Sequence, residues 1–262
     1  MANLRANKIP SNKIGVVMPV AGYEDLAVNR GLLLDLQFRE GIGGLGLPTH
    51  DYAKPHHTTV LSKVGGATGP AWVNLGNNLT VLSFSRFAAG AGDYLQRAAA
   101  DVGDLDFTTE DFTLAAWIHV VGLAAGSNMV FCVNATDVCG WCWYLTLNPA
   151  NNNYLSFRTN QGGAHTDCYA SDFSMNEWIF IGVTRTGTVA QIYKNGAPRL
   201  TTGAIANAVD CACGKKLLVG CQDGEASCWF DGMMWRPRIW NRKLEDEDMA
   251  SIFAMERALF GV

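Results

Sequence analysis

The sequence predicts an all-β chain: a two-sheet antiparallel sandwich with an extended arm at residues 1–30 and one helix near the C-terminus. Three observations predict it. Short apolar or alternating runs follow one another from Gly31 to Trp240, giving about ten to fourteen strands. Turn residues separate them, with 28 glycines in 262 residues. Helical spacing is found only over 244–260.

The elements follow in order. Residues 1–30 carry Asn, Lys, Pro and Ser with no steady period, so they cannot bury enough surface to order alone. The domain is placed at 31–262. GLLLDLQF (31–38) reads as the opening strand, followed by a Gly-rich turn and a polar loop through Thr59. Strand patterns continue at 79–85, 93–98, 111–120, 129–134, 141–147, 154–159, 177–186, 189–196, 215–221 and 234–240. In 111–120, Phe112, Leu114, Ala116 and Ile118 share a face. Asn195-Gly196 marks a type I′ turn, which needs positive φ at both positions. In 244–260, Glu245, Asp246, Glu247 and Asp248 fill the first turn, where acids suit the helix dipole.

Composition excludes several functions. The net charge is −4, and the longest basic tract is Lys215-Lys216. Nucleic-acid binding needs clustered cations, so no nucleic-acid partner is expected. No run approaches the ~20 apolar residues of a membrane helix. The N-terminal segment is broken by Gly15, Pro19, Glu24 and Asp25 and does not read as a secretory signal. The expectation is therefore retention where the chain is made, or release inside a particle, with the eight cysteines mainly thiols. No E-x-D-x-x-E acid pair, G-x-S-x-G, H-E-x-x-H or phosphate loop occurs.

Several phrases in one order carry a family resemblance. GLLLDLQFREGIG (31–43), LTVLSFSRFAAGAGDYLQRA (79–98), DFTLAAWIHV (111–120), EWIFIGVTRTGTVAQIYKNGAPR (177–199), KKLLVGC (215–221) and WFDGMMWRPRIWNRKLEDEDMASIF (229–253) together resemble the laminin-G-like jelly roll of the concanavalin A-like lectin/glucanase superfamily. The resemblance covers roughly 31–257. It implies a jelly-roll sandwich that binds glycans, glycoproteins or other subunits. It also implies calcium at the sandwich rim, at Asp51, Asp93 and Asp231. One departure stands in the closing strand, where Met234-Trp235-Arg236-Pro237 replaces a run that contains two acids in the family.

Other residues invite chemistry. Cys139, Cys142, Cys211 and Cys213 have the spacing of a thiolate zinc site, although buried or paired cysteines explain them as simply. His50, His56 and His57 lie within one loop and could hold a transition metal or simply face solvent. Trp141 and Trp143 share a strand face. Trp117, Trp178 and Trp240 are expected in the core, whereas Trp143, Trp229 and Trp235 are the candidate ligand-stacking rings.

The resulting expectation is a non-enzymatic binding or structural module. In its fullest form it is a virion protein, such as a phage capsid decoration or fibre protein. Residues 1–30 would dock on other assembly subunits, the sandwich would bind cell-surface glycans, and the copies would form a homo-oligomer. The alternatives are a solitary calcium-dependent lectin-like protein and a divergent glycoside hydrolase.

Overall fold

The computed structural model describes residues 26–38, 40, 49–53, 60–64, 69–76, 79–87, 91–121, 127–146, 153–212, 214–222 and 227–262. Among these residues the strands form two eight-stranded antiparallel sheets and a two-stranded ribbon. The first sheet runs Ala197–Pro198 (β16), Val189–Lys194 (β15), Trp178–Thr186 (β14), Phe112–Val120 (β9), Gly232–Trp240 (β18), Thr80–Phe84 (β5) and Ala71–Asn74 (β4). Leu32–Asp35 (β1) pairs with the far part of β18. The second sheet runs His165–Ala170 (β13), Tyr154–Asn160 (β12), Cys139–Thr146 (β11), Ser127–Ala135 (β10), Leu217–Val219 (β17), Tyr94–Arg97 (β8), Val60–Val64 (β3) and Thr49–His50 (β2). Arg86–Phe87 (β6) and Ala91–Gly92 (β7) make the ribbon.

The main core lies between the two sheets. Alternation assigns each face: Phe112 from β9 meets Trp141 and Phe157 from the second sheet at 6.0 and 5.3 Å between ring centroids. The face predicted from Phe112, Leu114, Ala116 and Ile118 is buried throughout. The opposite face of β9 is buried too, because the helix Asp246–Glu256 (α1) and the C-terminal turn cover the first sheet. Trp117 stacks there on Phe253 and Phe260 at 5.7 and 4.4 Å. Close packing of this layer needs glycine in two places. A Cβ on Gly182 would overlap Met249, and one on Gly196 would press on Phe253 and Ala250. Asn195 and Gly196 have φ of 51° and 77°, as the Asn-Gly turn requires.

Strand β18 carries a bulge. Its register with β9 shifts between Trp235 and Arg238, leaving an extra residue at Arg236-Pro237. Proline fits there because it cannot donate to the ladder. Arg236 takes φ 49°. Its guanidinium joins Arg238 on the buried carboxylate of Glu256, with bonds of 2.6 to 3.0 Å. Arg236 also pairs with Asp35, and the Trp117 indole N–H donates to Glu256 at 2.9 Å. One charged network therefore ties α1, β1 and β18 together.

The structure corrects some sequence readings. The opening strand is shorter than 31–38, ending at Asp35. Strands β2, β3, β4 and β13 and the two-residue strands β6, β7 and β16 are additional. The helix spans Asp246–Glu256 and then tightens into a 3₁₀ turn at Arg257–Leu259. Of the predicted arm, residues 1–25 lie outside the described residues. Its last residues belong to the sandwich: the Trp240 indole donates to the Val28 carbonyl, and Arg242 donates to the carbonyls of Ala27 and Arg30.

Candidate functional site

The three candidate tryptophans are closed to ligands. Trp143 is fully buried and stacks on Phe131 at 6.1 Å. It shares the inward face of β11 with Trp141 and Leu145, so the face read from the sequence is right but points into the core. Trp235 is 8% exposed and lies edge-on to Phe260 under the C-terminal layer. Trp229 is 3% exposed and packs against Tyr94, directly over Gly92. The core positions expected for Trp117 and Trp240 are observed.

The three candidate calcium acids do not form one metal-holding set among the described residues. Asp51 is fully buried in an ion pair with Arg97, and its other oxygen accepts the backbone N–H groups of Asp35 and Ala53. Burial raises its pKa, opposed by the Arg97 charge. The Asp93 carboxylate accepts the Ser85 N–H at 3.0 Å. Asp231 is raised by burial, opposed by the Arg86 N–H and charge. No group of three or more His, Cys, Asp or Glu residues among the described residues is placed to hold a metal ion, and Ca²⁺ takes ~6–8 oxygens. These residues do not fit the metal. Excess EDTA should therefore leave the melting temperature unchanged. A fall of several degrees, restored by calcium, would contradict this, because a ligand held at ~100 times its Kd adds about 2.7 kcal/mol.

The cysteine readings change likewise. Cys139 and Cys211 form a disulfide across 72 residues, an exception to the expectation of mainly thiols. Cys142, three residues from Cys139, points to the opposite face of β11 and joins a second buried cluster with Cys132, Cys221, Tyr94 and Trp229. Burial pushes its thiol pKa up. The thiolate zinc set is therefore not assembled, and Cys213 lies outside the described residues. His50 is exposed in β2, while His56 and His57 lie outside the described residues.

The polar surface that does assemble is the outer face of β12 and β13, backed by the buried Cys142 and Tyr144 of β11. Leu155 and Phe157 of β12, and Cys168 and Ala170 of β13, point into the core. The alternate residues Tyr154, Arg158, His165, Asp167 and Tyr169 point outward. Register places Cys142, Arg158 and Asp167 in one row and Tyr144, Ser156 and Tyr169 in the next. Arg158 grips Asp167 with two bonds, of 2.8 and 3.0 Å. The Tyr144 hydroxyl donates to the same carboxylate at 3.0 Å, and Arg158 lies over the Tyr144 ring. Burial and the Asp167 charge raise the Tyr144 pKa, keeping it a donor. For Arg158, burial opposes the charge, but the bond to Asp167 outweighs it and the pKa rises.

Two further features frame this ledge. His165 bridges Asp137 at 2.5 Å and Asp167 at 3.5 Å. Tyr154 and Tyr169 meet edge to face at 5.1 Å, with Tyr169 38% exposed. The Tyr169 backbone is fixed by paired bonds to Thr202. The Cys139–Cys211 disulfide closes the adjoining rim. Asn160 reinforces that rim by donating to the carbonyls of Cys139 and Gly140 and accepting the Asp137 N–H. Sequence reasoning missed this site because it missed β13. The available signal was the alternation His165, Asp167, Tyr169 against Thr166, Cys168, Ala170.

Comparison with known proteins adds the following. A family model described as the concanavalin A-like lectin/glucanases superfamily, of laminin G type, matches residues 89–250. No curated protein matches. Among solved structures, the binding domain of botulinum neurotoxin DC in complex with rat synaptotagmin II is similar, with a TM-score of 0.61 at 14% identity over 87% of this chain and 52% of that one. A botulinum neurotoxin type C structure, described as dependent on two ganglioside molecules for cell entry, gives 0.61 at 15% identity over 87% and 52%. The binding domain of Paraclostridial mosquitocidal protein 1 gives 0.60 at 17% identity over 86% and 52%. The chain therefore spans about half the length of these solved chains, and at this identity the likeness is one of fold.

Proposed function

Because the chain belongs to the concanavalin A-like lectin/glucanases superfamily, we propose that it is a non-enzymatic recognition module that binds carbohydrate on the outer face of its second sheet. One observation carries this reading: the exposed ring of Tyr169, braced by the half-buried Tyr154, adjoins a hydrogen-bonded array of donors and acceptors on one sheet face. A sugar has an apolar C–H face and a polar edge. The first suits an aromatic ring, and the second suits paired carboxylate and guanidinium groups. Placement on strands, with the rim held by a disulfide, limits the ordering cost of binding.

The acids of the ledge suit binding better than hydrolysis. A glycosidase needs one carboxyl group as acid and another as base or nucleophile, flanking the scissile bond. Here Asp167 is held by Arg158 and Tyr144, and Asp137 by His165. The gangliosides named for the similar botulinum neurotoxin type C structure are glycans too, but acidic ones, so they support carbohydrate recognition and not the class of sugar. In the fuller form of this proposal, residues 1–25 fasten the sandwich to a particle such as a phage capsid or fibre, and copies associate. The low charged fraction of 17% supports subunit contacts.

Glycan-array binding tests the reading, followed by titration of a positive glycan against Tyr169→Ala and Arg158→Ala. Each variant should weaken binding about tenfold, equivalent to ~1.4 kcal/mol, while Tyr169→Ala keeps its melting temperature. Undiminished affinity in both variants would place the ligand elsewhere.

A further inference from the structure

Resting on the ledge as the recognition surface, we infer that its ligand class is a neutral sugar with adjacent free hydroxyls, and that acidic sugars are rejected. The charges around the ledge decide this. Arg158 on β12 is its cation, and the two-pronged bond already commits that charge to Asp167 on β13. Asp137, in the turn between β10 and β11, adds a second carboxylate that is 47% exposed. The segment 209–211 runs beside this turn, since Gly140 donates to the Val209 carbonyl and Cys211 is bonded to Cys139. It brings Asp210, a third acid, to the same rim. Asp167 and Asp137 then hold one guanidinium and His165, and the exposed Asp210, whose carboxylate accepts the Ala212 N–H, adds a third negative charge at the rim. The sum is negative whether or not His165 carries a proton.

An anionic sugar group needs an uncommitted cation, which this array does not offer. At the surface it would meet repulsion from each close like charge. A neutral diol has the opposite fit. Each hydroxyl both donates and accepts. One can accept from the N–H groups on the Arg158 Nη1 atom, since the pair with Asp167 uses those on Nε and Nη2. Its neighbour can donate to a carboxylate lone pair of Asp167 or Asp137. Tyr169, pinned by Thr202 and braced edge-on by Tyr154, offers its ring to the sugar's C–H face.

The test is a calorimetric titration of the full chain with matched probes: lactose, maltotriose and mannotriose against 3′-sialyllactose and sulfated lactose. At least one neutral probe should bind, and its acidic counterparts should bind at least about tenfold more weakly at low salt. High salt and Asp137→Asn should each narrow that gap, because both weaken the field of the rim. An acidic probe that binds as tightly as its neutral parent, or more tightly, and still loses affinity in Tyr169→Ala would overturn this inference while leaving carbohydrate recognition at the ledge intact. Absence of binding by every probe, or binding indifferent to Tyr169→Ala and Arg158→Ala, would overturn both.

Discussion

Replacing Glu256 with alanine should destabilise the folded chain by about 3–5 kcal/mol, the usual result of removing one partner from a buried ionic network. Glu256 is 5% exposed and is the common acceptor for Arg236, Arg238 and the Trp117 indole. Without it, two guanidinium groups remain in a layer covered by Phe253 and Phe260, with Asp35 as the remaining acid of the network. The apolar contacts of α1 do not compensate, because unpaired buried charge is costly wherever it sits. Urea unfolding measures the change as a lower midpoint. Glu256→Gln should recover a small part, since an amide oxygen accepts hydrogen bonds without balancing charge. A loss below about 1 kcal/mol in the alanine variant would mean that the C-terminal layer is held by apolar packing alone.

Loss of the Cys139–Cys211 disulfide should lower stability by about 4 kcal/mol, the chain-entropy value for a loop closed across 72 residues. The effect reaches the ledge as well. Cys139 begins β11, and the turn before it carries Asp137, the partner of His165. The double variant Cys139→Ala/Cys211→Ala should therefore melt lower and also bind glycan more weakly. Thermal melts of the native protein with and without reductant give the first comparison. Identical melting temperatures, with reduction verified by mass, would show that the hydrogen bonds of Asn160 suffice to hold the rim.

Much of the fold was legible because its central strands bury both faces or alternate strongly. Phe112–Val120 and Trp178–Thr186 are long, rich in aromatic and branched residues, and paired in register. Asn195-Gly196 announced its turn through backbone chemistry alone. Strand β13 was illegible because its inward residues, Thr166, Cys168 and Ala170, are small or polar, so the period-two signal is faint. The candidate site was lost with it.

Burial shows a second limit. Alternation tells which residues share a face, as with Trp141 and Trp143, but the fold decides which face is the core. That is why Trp143 moved from candidate ligand contact to buried stack. The bulge at Arg236-Pro237 and the pairing of Cys139 with Cys211 also depend on three-dimensional proximity. Spacing along the chain does not encode them.

The most direct measurement of the central claim is NMR shift mapping of the isotopically labelled protein, titrated with the strongest neutral glycan from the array. Saturable shifts should centre on Arg158, His165, Asp167 and Tyr169, fading toward the covered face of the first sheet. Shifts confined to the first sheet or to the β6–β7 ribbon, with the residues of β12 and β13 unmoved, would contradict recognition at the second sheet.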